Sequence, residues 1–206
     1  MESQTQARPD QDSTAEQKLQ KLRDLFADAP QIAKAALENM AQVLAAHLSE
    51  PRSRMESAGR AGSRQGQVSE LTLILPFAPG GDRRMRALLQ AQNGSFEAAD
   101  KVGTLHDMRF VFVDETKLIF ATAYDGDWDA YIDDFATKIP DFMDLAFSAF
   151  DGWPGIQNTT AVKDWIADHQ YTAEGWYVAS PNLTVPQTKR LEKVGEAVDE
   201  FLDKIG

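Results

Sequence analysis

Apolar positions along this chain change period several times, and each change marks an element. Leu19, Leu22 and Phe26 share one helical face, starting from Gln17. After a break at Asp28-Ala29-Pro30, with proline suited to a first turn, Ala33, Leu37, Met40, Leu44 and Leu48 recur at spacings of three and four. Such a stripe needs a surface to cover it. Residues 1–16 are polar and aperiodic and predict a disordered tail, which makes residues 17–50 an N-terminal helical segment. Residues 51–67 hold serines, glycines and four arginines with no apolar period. That composition predicts a flexible linker, or a basic docking arm for acidic surface.

The main domain is predicted over 68–206. Leu71 to Phe77 is a short apolar run ending at Pro79-Gly80-Gly81, a strand and then a loop. Asp82 caps a helix with Met85, Leu88 and Leu89, closed by Asn93-Gly94. Two strands, 108–113 and 117–124, flank the hairpin-length connection Asp114-Glu115-Thr116. Trp128, Tyr131, Ile132, Phe135 and Ile139 form one helical stripe with Asp125 or Asp127 as its cap. Pro140 restarts it through Phe142, Leu145, Ala146 and Ala149. A turn at 152–155 follows, then a short helix capped by Thr160. A last strand is predicted at 175–179, and a closing helix at 187–205 buries Leu191, Val194, Val198, Phe201 and Ile205. Without the extra helices the order is strand, helix, strand, strand, helix, strand. The predicted fold class is therefore α+β, a ferredoxin-like βαββαβ sheet preceded by the N-terminal helices.

Two helices cover one face of such a sheet, and the other face normally turns polar. Here it does not. Met108, Phe110 and Phe112 alternate with Val111 and Val113, and Leu118, Phe120 and Tyr124 with Ile119, Ala121 and Ala123, leaving Arg109 and Thr122 as the main exceptions. A sheet apolar on both sides calls for a second cover: another copy of the domain, the N-terminal helices or a bound apolar ligand. Self-association into a homo-oligomer is the first expectation. An interior cavity between sheet and helices would be the natural ligand site.

Charge and composition narrow the partners. The net charge of −11 disfavours nucleic acid and anionic membranes. The chain has no cysteine, which excludes disulfides, thiolate metal sites and cysteine nucleophiles. The polar start lacks a signal-like apolar core, and no apolar run is long enough to span a bilayer, so a cytoplasmic location is expected.

Three stretches carry a family resemblance: Thr104–Phe110, Tyr124–Phe135 and Gly152-Trp153-Pro154-Gly155. Over about residues 70–185 the chain resembles a group of small bacterial proteins of unassigned function. These are similar to the dimeric α/β barrel superfamily, which includes dye-decolorising peroxidases and chlorite dismutases. The resemblance implies a ferredoxin-like fold and does not carry haem binding across. The peroxidases carry Gly-x-x-Asp-Gly, and here Thr122–Gly126 keeps Asp125 and Gly126 but not the first glycine.

Among titratable residues His106 and Arg109 stand out, three apart at a strand entrance. An imidazole there could ligate haem iron or act as an acid or base, and Arg109 could hold a carboxylate or propionate. The bland alternative is a histidine that braces the strand end and an arginine paired with a nearby acid. His47 and His169 sit where helix C-termini are predicted. Asp125, Asp127 and Asp129 have the spacing that opens a calcium loop, but Ala130 and Ala136 replace its glycine and glutamate, so capping and helix-end acidity explain them and no metal is expected. Three functions follow: an oligomerising accessory domain with or without an apolar ligand, a haem-dependent peroxidase-like oxidoreductase using His106, Arg109 and Asp125, or an adaptor that docks a protein partner through residues 17–50.

Overall fold

The computed structural model describes residues 14–49, 55–92 and 97–205. Of the disordered tail expected at 1–16, residues 1–13 lie outside them, as does the Asn93-Gly94 helix stop, while Thr14, Ala15 and Glu16 instead cap and open a helix. The chain divides into two compact units, 1–53 and 54–206.

The first unit is a helical hairpin. Helix α1 (Ala15–Leu25) begins at a capping box in which Thr14 and Gln17 satisfy each other's backbone N–H. Helix α2 (Gln31–Ser49) packs back on it. Leu19 and Leu37 are buried in the seam, and Arg23 grips the Glu38 carboxylate with two nitrogens. Met40, expected to be covered, is exposed.

The second unit is α+β. Its elements run β1 (Met55–Ser57), β2 (Ser63–Gln65), β3 (Val68–Pro76), α3 (Gly81–Gln92), α4 (Glu97–Val102), β4 (Leu105–Val113), β5 (Lys117–Asp125), α5 (Trp128–Lys138), α6 (Pro140–Phe147), α7 (Thr159–His169) and α8 (Val185–Ile205). One antiparallel five-stranded sheet has the order β1-β2-β3-β5-β4. β3 pairs with β5 over nine residues, Val68 opposite Asp125 through Pro76 opposite Lys117. β4 and β5 form a hairpin whose turn residues Asp114 and Glu115 both have positive φ, 49° and 57°, the hand that suits the twist of the strands. Register places Leu73, Phe120 and Phe110 side by side on the face toward the helices. Met85, Tyr131, Phe135, Phe147 and Ile166 close that core. Tyr124 and Tyr131 stack with ring centres 3.8 Å apart. α3 enters so closely that a Cβ on Gly81 would lie 1.9 Å from the Ala149 carbonyl oxygen.

Four expectations change. The predicted linker carries β1 and β2, a hairpin that extends the sheet beyond β3. Its arginines reach the domain's acids, Arg64 to Asp127 at 2.7 Å and Arg60 to Asp164. No strand forms at 175–179, because the β3 edge is already occupied: β2 takes its first residues, and Gln170 and Tyr171 bond to Leu73 and Thr72. α7 is capped by Asn158, whose side chain accepts the Ala161 N–H, rather than by Thr160. Finally, α8 forms, but its apolar stripe is exposed rather than buried: Leu191 54 %, Val194 50 %, Val198 49 %, Phe201 59 % and Ile205 65 %. Periodicity tells which face of a helix wants cover; it does not supply the cover.

Candidate functional site

The bulge between Leu105 and Asp107 makes His106 an extra residue on β4, opposite the end of β5. There its Nε2 lies 2.7 Å from one carboxylate oxygen of Asp125. The second oxygen of Asp125 accepts the backbone N–H of Val185 at 2.8 Å. Thus one carboxylate, itself largely buried, ties the β4 entrance, the β5 exit and the root of α8 together.

Arg109 is not part of this node. Its side chain is 64 % exposed and faces Asp107 at 3.6 Å. The two residues singled out from the sequence are therefore paired with different acids. The aspartates of the calcium-like spacing also diverge. Asp125 holds His106, Asp127 holds Arg64, and Asp129 shares Lys163 with Asp133. Burial opposes the charge on Lys163, but its hydrogen bonds to Asp133 and Asp129 outweigh that and raise its pKa. Among the described residues no cluster of His, Asp and Glu is placed to hold a metal ion.

His169 is the last residue of α7. Its Nδ1 lies 2.8 Å from the Trp165 carbonyl oxygen, and its ring sits 4.4 Å from the Trp165 indole. The indole nitrogens of Trp128, Trp153 and Trp165 donate to Gln170, Asp144 and the Asp151 carbonyl, so these tryptophans are bound into the body of the domain.

Sequence reading passed over Glu70. This carboxylate is 3 % exposed and accepts the N–H groups of Ser63 and Ala173 and the hydroxyl of Thr72. It holds the β2 entrance and the 171–184 segment against β3. A glutamate on a strand otherwise rich in leucine was the available signal, since a buried charge persists only where partners satisfy it.

Two cavities bear on ligand binding. A void of about 20 Å³ lies in the core among Leu71, Leu73, Phe120, Phe135, Met143 and Phe147. It is wholly apolar and no larger than a water molecule requires, so the space between sheet and helices is filled by the protein's own side chains. A wider cleft of about 380 Å³ opens between Gln92, Lys101, Lys138 and Phe142. Neither is lined by His106 or Arg109.

With the arginine turned to another acid, the histidine stands alone with the Asp125 carboxylate at its Nε2. Its chemistry is that of a structural clasp: the charge and lone pairs of Asp125 are spent on fixing where α8 leaves the sheet.

The opposite sheet face carries the second feature. Ile74 stands opposite Ile119, and Ile119 opposite Val111, making an apolar row across three strands on the side away from the core helices. None of the three belongs to the buried core; Val111 is 49 % exposed, and Ile74 and Ile119 are partly buried. Segment 171–184 lies against one end of this face, where its Ala173 N–H bonds to the buried Glu70.

Among the described residues no helix is long and apolar enough to cross a membrane. No family model matches the chain, no curated protein matches its sequence, and no solved structure matches its fold.

Proposed function

We propose that this chain is a homo-oligomerising accessory domain of ferredoxin-like type, whose working surface is the uncovered side of its sheet rather than a catalytic pocket. The observation that carries the reading is the row Ile74, Ile119 and Val111, in register and outside the core. Aliphatic side chains aligned across three strands gain free energy when a second surface removes them from water, roughly 25 cal/mol for each Å² buried. The ferredoxin-like part rests on the run β3, α3, β4, β5, α5 and on the spatial order β3-β5-β4. β2 and the strand-like contact at Gln170 stand where a fourth strand would pair.

Substitution of Val111 by Lys tests this. It places a charge in the middle of the row without touching the core. The expected result is a folded chain that elutes at half the size of the unmodified protein. Unchanged elution contradicts the proposal.

A second reading is favoured by the N-terminal hairpin, where Leu25 is 69 % and Ile32 81 % exposed. In that reading α1 and α2 dock a protein partner, and Ile32→Lys abolishes the docking while leaving self-association intact.

A further inference from the structure

Two apolar surfaces of the C-terminal unit have no partner among its described residues, and they are of complementary kinds: one is a helix stripe, the other a sheet face. We propose that α8 of one copy lies across the uncovered sheet face of a second copy, and that the second copy returns the same contact. The inference rests on the oligomerising reading and names what does the covering.

The spacing of the α8 stripe is regular. Leu191, Val194, Val198, Phe201 and Ile205 are separated by three, four, three and four residues, a continuous apolar seam. From Lys189 to the helix end every residue is exposed. The root, by contrast, is fastened. Val185 is 8 % exposed and its N–H is held by Asp125. Thr184 and Gln187 bond to each other's backbone, and Lys189 reaches Asp100 on α4 at 3.2 Å. These contacts fix the direction in which the helix leaves. Folding α8 back over its own sheet would break them, whereas a second copy can meet the seam as it stands.

Helix on sheet is how such faces are ordinarily covered. Gly195 flanks the seam, and a Cβ built there meets nothing within 4 Å. Glycine weakens a helix interior, and nothing in its own chain calls for it; close approach of another backbone does. Charge sets the orientation. The outer half of α8 carries Glu196, Asp199, Glu200 and Asp203 against Lys204, which pairs with Glu200, and the sheet face is bordered by the exposed Lys117 and by Arg109, which faces Asp107. In a chain of net charge −11, this match offsets the repulsion between copies. The five large side chains of the seam, about half exposed, leave on the order of 500 Å² of apolar surface on α8. Made twice, the exchange buries about 1,000 Å² on the two helices alone, the size a specific interface must clear, before the sheet row is counted.

The absence of cysteine makes the test direct. Two single variants, Val198→Cys and Val111→Cys, are mixed and oxidised. Disulfide-linked dimers are expected about tenfold faster in the mixture than in either variant alone, as contact distance dictates. Equally fast linking of Val198→Cys alone, which means that α8 pairs with α8, overturns the proposal. So does closure of the double variant within one chain. Phe201→Glu provides a second arm, since that side chain supports no core. The dimer dissociation constant is expected to rise about 100-fold with unchanged circular dichroism. A dimer that survives Phe201→Glu but not Val111→Lys overturns the exchange and leaves the oligomerising reading standing. An unmodified chain that is monomeric at every concentration removes both.

Discussion

The Nε2 of His106 and the Oδ1 of Asp125 stand 2.7 Å apart, and this pair decides what the bulge at the start of β4 is for. The histidine is held by a carboxylate that also holds the Val185 amide. Asp125→Ala strands both donors and is expected to cost about 1–3 kcal/mol of stability, whereas His106→Ala removes one bond and costs about 0.5–1.5 kcal/mol. Urea unfolding measures both. Hydrogen exchange at the Val185 amide should accelerate only in Asp125→Ala. A hemin titration of the unmodified protein is expected to stay flat at the Soret wavelength. A Soret band that His106→Ala abolishes would contradict the clasp and revive the oxidoreductase.

Alkaline pH probes the stacked tyrosines. Burial, with the charge of Glu70 adding to it, pushes the Tyr124 hydroxyl well above the ordinary tyrosine range; burial does the same to Tyr131. A group whose pKa is higher folded than unfolded stabilises the fold fully below its unfolded value, and that contribution is lost as pH rises past it. Stability should therefore hold up to about pH 10 and fall above it. Replacing both residues by phenylalanine should flatten the alkaline limb of a plot of unfolding free energy against pH. An alkaline limb that keeps its slope in the double variant assigns the loss to other groups.

The β4–β5 turn stores strain that can be relieved. Glu115 has φ 57°, a left-handed conformation that costs a residue bearing a Cβ about 1–2 kcal/mol. Glu115→Gly is expected to raise the thermal midpoint by a few degrees, about 1 kcal/mol net. A lowered midpoint would mean that the turn rearranges to accommodate glutamate at no cost.

Much of the core was legible because period and register coincide there. Trp128, Tyr131, Ile132 and Phe135 read as one stripe and pack as one. The alternation in β4 and β5 correctly separated Phe110 and Phe120 from Val111 and Ile119. Polar segments were less legible. Ser63, Arg64 and Gln65 carry no apolar signal, and their strand exists because Glu70 accepts the Ser63 amide and Arg64 reaches Asp127, partners distant in sequence. At 175–179 an apolar look was not enough, since a strand needs an open edge and that edge of β3 already meets β2 at Val68 and Ser69 and Gln170 at Leu73. The α8 stripe shows the same limit: its five positions were identified correctly, but their burial depends on a surface that no periodicity names. Of the candidate site, the bracing role weighed for His106 is the one its pairing with Asp125 supports, and the link from Asp125 to Val185 has no local sequence signature.

The molar mass of the full, unmodified chain by sedimentation equilibrium, from low to high micromolar concentration, bears most directly on the apolar row Ile74, Ile119 and Val111. The expected value is twice the chain mass of 22.8 kDa. A mass of one chain across the whole range, with the row left open to solvent, would contradict self-association as the reason for that surface.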